Sequence, residues 1–309
     1  MIDKLDFILA LAREKHFGRA AEACGVTQPT LSAGVKQLEE QMGVLLVNRG
    51  SRFQSFTPEG QRVLDWARRI VGDTRAMREE INSLRHGLSG QLRIAAIPTA
   101  LGMVAALTTP YRERHPNVLV RIIEHGADGV FAAVTHGEAD FGINYIGMQE
   151  SEVDFTPLLN EPFVLACRAD HALAARRTIR REELAAWDQV RVSHASRNRV
   201  FIDNALAELP SLPRAVCEVQ HVSTLIGLVE AGLGVAIVPQ LCVPRRPASV
   251  VAIPLDPPVT RTIGLIRRAG RTLSPAADAF AKLLVEASRT RGHRHASGKN
   301  VNPRKRANS

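Results

Sequence analysis

Between Val63 and Leu84, small and apolar residues return at alternating intervals of four and three: Val63, Ala67, Ile70, Thr74, Met77, Ile81 and Leu84. A repeat averaging about 3.5 residues, kept for about three heptads, lays one narrow stripe along one long helix. A helix packed only on its own domain does not need so strict a repeat, so the stripe predicts pairing with a second copy. Thr57-Pro58-Glu59 supplies the start: an N-cap, a proline in the first turn and an acid at the positive end of the helix dipole. Gly87 and Gly90 close the helix and form a hinge. Residues 59–90 therefore read as a linker and dimerisation helix with a hinge, and the seven stripe residues as its contact.

Residues 1–58 read as a compact helical domain with a small wing. Leu5, Ile8, Leu9 and Ala12 recur at helical spacing. A second helix is predicted from Gly18 to Cys24, a turn at Gly25-Val26, and a third helix from Thr27 to Gln41 with Leu31, Val35 and Leu38 on its inner face. Ala20 and Ala21 are small enough for two helices to cross closely. Gly43 ends the third helix, and Asn48 to Phe56 reads as a polar hairpin. This is the build of a winged helix-turn-helix. The start of its third helix would meet base edges in the major groove. Gln28 can pair bidentately with adenine, Thr30 and Ser32 can donate or accept, and Ala33 suits a thymine methyl. Thr27, Pro29 and Lys36 lie on the same outward face, and Arg19 precedes it. Arg49 and Arg52 in the hairpin are placed to reach the DNA backbone or minor groove.

From Gln91 the period changes. Strands are predicted at 91–97, 118–124 and 140–146, with helices at 101–114 and 126–136 between them; this alternation marks a parallel sheet covered by helices. A second such run follows, with strands at 163–168, 189–192, 216–219 and 234–238 and helices at 200–207 and 222–231. A strand at 261–266 and a helix at 276–287 return the chain to the first run. The reading is a two-lobed α/β domain over residues 91–288, with lobe 1 at about 91–161 and 267–288, lobe 2 at about 162–266, and a cleft between them. Ligands in such sheets sit at strand carboxyl ends beside helix starts. That rule selects Thr99 and Ala100 after the first strand, Asn144 after the third, Ser196 and Arg197 after a second-lobe strand, and Ser223 at a helix start. Thr99 and Ser223 are expected to cap their helices. Arg197 is placed to clamp a carboxylate or phosphate. Asp128 adds a negative charge nearby.

The net charge of +9 is misleading as a DNA signal. The segment 289–309 holds seven Lys/Arg and no acid, while 91–288 holds twenty of each. That basic tail lacks any apolar pattern and is expected to be disordered. No run of apolar residues is long enough to span a membrane, and the acidic N-terminus does not resemble a signal peptide, so a cytoplasmic protein is expected. Cys24, Cys167, Cys217 and Cys242 are scattered, which argues against a disulfide framework or a metal site. Catalytic signatures are missing: Gly232-Leu233-Gly234 lacks the third glycine of a dinucleotide loop, and no phosphate-binding loop or nucleophile elbow occurs. No enzyme activity, metal or cofactor is expected.

The run from His16 to Gly50, followed by Phe56-Thr57-Pro58-Glu59-Gly60, resembles the N-terminal domain of LysR-type transcriptional regulators. The carrying residues are Ala20-Ala21, Gln28-Pro29 with Ser32, Lys36 with Leu38-Glu39 and Gly43, Arg49, and Thr57 with Gly60. Val47 stands where that family usually has Phe, and Phe56 where it usually has Leu, an exchange of bulk between wing and core. Downstream, residues 88–98, 137–143, 161–174 and 227–240 are similar to later signatures of the family. The resemblance implies an α/β protein overall: an all-α winged domain, a coiled-coil linker helix, and a two-lobed periplasmic-binding-protein-like (type 2) regulatory domain. It also implies a homodimer or homotetramer that binds an inverted repeat in double-stranded DNA, activates or represses transcription, answers to a small-molecule co-inducer in the cleft, and has RNA polymerase as a further partner. The alternative is a ligand-independent regulator whose C-terminal lobes serve only oligomerisation.

Overall fold

The computed structural model describes residues 1–49, 53–145, 151–194, 196–207, 209, 213–244 and 249–297. They fall into two compact units: Met1–Gly90 with the short stretches His136–Glu138 and Leu273–Ala276, and the rest of the chain from Gln91.

The first unit starts with three helices, α1 (Ile2–Glu14), α2 (Phe17–Ala23) and α3 (Gln28–Met42). A two-stranded hairpin of β1 (Val47–Arg49) and β2 (Phe53–Phe56) follows, then the 29-residue α4 (Pro58–His86). Ala20 and Ala21 are buried where α2 crosses its neighbours, and Leu5, Ile8, Leu11, Leu31, Val35 and Leu38 close the core. Small residues allow the crossing: a Cβ on Gly34 would fall 2.5 Å from the Phe7 ring. Val47 lies directly opposite Phe56 in the hairpin, so the exchange of bulk read from the sequence is one between facing partners. Phe56 in turn packs edge-on against Phe53, with ring centres 5.2 Å apart.

The first three turns of α4 belong to this core. Ala67 is fully buried and Val63 packs against the same cluster, because α4 lies along α1. This corrects the dimer stripe: these two residues are used inside the domain. Trp66, Ile70, Met77, Ile81 and Leu84 are exposed, so the free stripe begins at Trp66, which the spacing argument passed over.

In the second unit, β3 (Gly90–Ala96), α5 (Leu101–Arg114), β4 (Val118–Glu124), α6 (Ala127–Thr135) and β5 (Phe141–Tyr145) form the predicted alternation, with β3 and β5 parallel. The long β6 (Val153–Arg168) then runs the length of the sheet. Only its last third was legible as a strand. Asp154, Thr156, Pro157, Asn160, Glu161 and Pro162 break the apolar pattern of the rest. The chain continues through β7 (Ile179–Arg180), β8 (Gln189–Val192), α7 (Arg197–Leu206), β9 (Ala215–Val219), α8 (Val222–Glu230), β10 (Ala236–Pro239), β11 (Val250–Asp256), β12 (Thr260–Arg268) and α9 (Pro275–Ser297). β11 was not foreseen.

The sheet order is β4-β3-β5-β12-β6-β11-β7, with β10 also on β6; β8 and β9 form a separate parallel pair. β12 runs antiparallel to both β5 and β6. The unit is therefore two lobes sharing one mixed sheet through β6. Because Ile263–Ile266 already pair with β5, the return to the first lobe comes earlier than residue 267. The first lobe closes on Tyr111, Phe141 and Phe280, with Tyr111 and Phe280 edge-on at 5.0 Å. The second closes on Phe163, Leu165, Ile202, Leu225 and Ile253 among others. α9 continues to Ser297, which corrects the expectation of a disordered tail from 289; residues 298–309 lie outside the described residues.

Candidate DNA-reading face and effector cleft

The start of α3 is set by side chains. Thr27 caps the helix, its hydroxyl accepting from the Thr30 amide at 3.4 Å and sharing a 2.8 Å bond with the Thr30 hydroxyl. Pro29 adds a fixed φ in the first turn. Thr27, Gln28, Pro29, Thr30, Ala33 and Lys36 are exposed and Ser32 half-buried, while Leu31 and Val35 point inward. One face of the helix is thus polar and open. Lys36 pairs loosely with Glu40 at 4.0 Å. Exposed Arg19 donates to the Glu14 carbonyl at 2.7 Å; His16 caps α2 and accepts from the Arg19 amide. The Arg49 side chain and all of Arg52 lie outside the described residues.

Two contacts fix the wing and linker to this helix. Glu39, buried on the inner face of α3, accepts the Leu46 and Val47 amides at 3.0 and 3.1 Å. Thr57 caps α4 by accepting from the Gly60 amide at 2.9 Å and donates to the Leu45 carbonyl at 2.7 Å. A Cβ on Gly60 would lie 2.0 Å from the Leu46 carbonyl oxygen, so only glycine lets α4 start there. Glu39, Thr57 and Gly60 each belong to the sequence pattern, and the structure gives each a positioning role.

In the second unit, the strand ends converge on a buried arginine. Arg261 of β12 and Glu161 of β6 each have a side chain 1% exposed. The Arg261 Nε donates to Glu161 Oε2 at 2.8 Å, and Nη2 lies 2.6 Å from the same oxygen. Nη2 also donates to the Thr99 hydroxyl at 2.9 Å, and Nη1 to Asn198 Oδ1 at 2.5 Å. The guanidinium sits 4.7 Å from the Tyr145 ring centre and 5.4 Å from that of Phe163, within reach of a cation–π attraction. Burial pushes the Glu161 carboxyl up, against the pull of Arg261. Burial likewise pushes the nearby Cys242 thiol up to about 12, with Glu161 adding to it. The four cysteines are free.

The residues picked from strand ends meet this centre unevenly. Thr99 joins it directly, its hydroxyl accepting from Arg261 and not acting as a cap; Ala100, itself fully buried, stands at the N-cap position of α5 with no side-chain cap bond. Arg197, at the start of α7, pairs with Asp128 at the start of α6, across the two lobes. Asn144 is committed to the fold, donating to the Ala127 carbonyl at 2.9 Å and accepting from the Tyr145 amide. Ser196 precedes α7 without a side-chain cap bond. Ser223 is exposed and is not a cap either, since α8 starts from His221. Sequence reasoning missed Arg261, Glu161 and Tyr145. The available signal was a charge at an inward position of an alternating strand, Thr260-Arg261-Thr262-Ile263.

Among the described residues no helix is long and apolar enough to cross a membrane, and no cluster of His, Cys, Asp and Glu could hold a metal ion. A winged helix-turn-helix with an open polar recognition face, joined to a two-lobed domain with a polar centre at its strand ends, defines a DNA-binding transcriptional regulator with an effector domain. Residues 2–61 match the bacterial regulatory helix-turn-helix protein, lysR family, and residues 85–289 match the LysR substrate binding domain. The chain belongs to the LysR family of transcriptional regulators.

Relatives agree over nearly the full length. The uncharacterized HTH-type transcriptional regulator YbhD of Escherichia coli K12 is 38% identical over 287 residues, 92% of this chain and 90% of its own. The DNA-binding transcriptional dual regulator OxyR of the same organism is 32% identical over 302 residues, 95% and 96% of the two chains. A full-length OxyR variant from Pseudomonas aeruginosa has a similar structure, with TM-score 0.75 at 29% identity over 94% of each chain. CbnR complexed with its target DNA shares the fold, with TM-score 0.60 at 20% identity.

Proposed function

We propose that this regulator works as a dimer or dimer of dimers on an inverted repeat, reading bases with α3 and answering to a small-molecule co-inducer in the cleft of its second unit. The working division is 1–58 for DNA reading, 59–90 for pairing and hinge, 91–288 for sensing, and 289–309 as a basic tail. Gln28, Thr30, Ser32 and Ala33 read base edges; Arg19 and Lys36 hold phosphates, Arg49 and Arg52 reach the backbone or minor groove, and Thr27 and Pro29 set the helix start that enters the site. Trp66, Ile70, Thr74, Met77, Ile81 and Leu84 form the pairing stripe. Thr99, Ala100, Asn144, Ser196, Arg197 and Ser223 surround the effector, with Arg261 and Asn198 added to them. RNA polymerase is the further partner, and the cytoplasm, where the chromosome lies, is the site of action.

The observation that carries this reading is the open polar start of α3, capped by Thr27. Gln28→Ala and Ser32→Ala are expected to weaken operator binding by about 1–3 kcal/mol each and to relax sequence preference, with melting unchanged. Unaltered footprints on the same operator would refute the assignment. A thermal-shift screen with metabolites on the full chain tests sensing. A uniformly flat screen would favour the ligand-independent alternative, in which the lobes serve only assembly.

A further inference from the structure

Alone among the described residues other than glycine, Lys15 has a left-handed backbone, with φ 49° and ψ 27°. It stands at the C-cap of α1, its amide donating to the Leu11 carbonyl at 2.9 Å. Gly43 fills the same position at the end of α3, with φ 70° and ψ 13°. Glycine adopts this conformation freely, whereas a Cβ crowds the carbonyl that follows it. The end of α1 thus keeps a lysine in a conformation that the end of α3 gives to glycine.

The cations around Lys15 are occupied. Arg13 pairs with Glu14 at 2.9 Å. Arg19 donates to the Glu14 carbonyl at 2.7 Å, with its Nε 3.9 Å from the Glu14 carboxylate. Lys15 is exposed and has no ion pair among the described residues. Its turn also borders the reading face. His16, next in the chain, caps α2 by accepting from the Arg19 amide at 3.3 Å. A Cβ on Gly18 would lie 3.3 Å from the His16 Nδ1 and 3.4 Å from Oε1 of Gln28, the first residue of α3. The starts of α2 and α3 therefore lie side by side.

We propose that Lys15 is a phosphate-binding residue, held by its left-handed turn against the DNA backbone beside the groove that α3 enters. This rests on the reading of α3 as the recognition helix. In a helix-turn-helix the first helix of the pair crosses the DNA backbone while the second lies in the major groove, so the turn that opens α2 faces phosphates. An ammonium is a compact point charge and binds a phosphate oxygen without the fixed fork of a guanidinium. Residues 13–19 hold three Lys/Arg against one acid, while residues 1–58 hold seven against six. The excess positive charge of the reading domain therefore gathers at this turn. A cation also suits the negative end of a helix dipole, but Arg13 already supplies one in the last turn of α1.

Three variants of the full chain separate charge from strain. Lys15→Gly removes both. Lys15→Asn removes the charge with a residue that tolerates the left-handed region, and Lys15→Arg keeps both. Each is titrated on operator and random duplexes over a range of salt concentrations. A phosphate contact contributes about 0.9 to the slope of log affinity against log salt, so a dimer without its two Lys15 contacts should lose about 1.8. Lys15→Gly and Lys15→Asn should show this loss equally on both duplexes, and Lys15→Arg should not show it. Lys15→Gly should also melt at least as high as the parent, because its backbone then suits its residue.

An unchanged slope in both uncharged variants would overturn the phosphate contact. If Lys15→Gly also melts lower, the lysine belongs to the helix dipole instead. A loss confined to the operator would make Lys15 a base reader and overturn the inference too. If the Lys15 variants leave the slope unmoved while Gln28→Ala relaxes operator preference, this inference fails and the reading of α3 stands. If Gln28→Ala is silent as well, both fail.

Discussion

Glu39 shows how one side chain couples DNA reading to the wing. The residue is buried, 6% exposed, and one of its carboxylate oxygens receives both the Leu46 and Val47 amides. Those amides precede and open β1, where the hairpin has not yet supplied partners. Removing the acceptor strands two buried donors, each worth about 1–3 kcal/mol. Glu39→Ala should therefore lower stability by about 3 kcal/mol in denaturant melts and loosen the wing. Glu39→Gln keeps one acceptor oxygen and should cost about 1 kcal/mol. Equal stability of parent and alanine variant would show that the contact does not hold the wing.

At the scale of elements, α4 divides its face between two tasks. Near its start Leu64 and Ala67 are buried against the DNA-reading domain, while Trp66, Ile70, Met77, Ile81 and Leu84 stay exposed. A stripe of large apolar residues on a helix of 29 residues is unfavourable in water unless a partner covers it. A charge near its C-terminal end, Ile81→Glu, is expected to weaken self-association by about tenfold or more in sedimentation, with the melting of the N-terminal domain unchanged. An unaltered mass distribution would move the contact elsewhere.

The same helix shows what a sequence can convey. Its start, end and heptad were legible because caps and periodicity are local. Which end of the stripe is consumed by α1 was not legible, since a 3.5-residue repeat looks the same against a domain as against a partner helix. The recognition helix was legible for a like reason: Thr27 caps it and Gly43 ends it. β6 was not, because its polar residues answer to β12, about 100 residues away. The centre of the cleft was half legible. Thr99 and Arg197 follow from strand ends, but Arg261 and Glu161 meet only through strand pairing, with Glu161 opposite Arg261.

Across the whole molecule, charge is distributed unevenly. The sensing region 91–288 is balanced, and the reading domain is nearly so, while residues 298–309 alone hold Lys299, Arg304, Lys305 and Arg306 without an acid. On the proposed reading, the tail adds sequence-independent phosphate contacts while α3 reads the operator. Truncation after Ser297 leaves α9 whole, including Leu284 and Ser288, which are buried. Each phosphate neutralised contributes about 0.9 to the slope of log affinity against log salt. Loss of the four cations should flatten that slope by about 1 to 4 on any duplex, while the ratio of operator to random DNA affinity rises or holds. A slope that does not move would mean that the tail makes no phosphate contact, and that the helix-turn-helix alone carries the electrostatic part of binding despite its near-neutral balance.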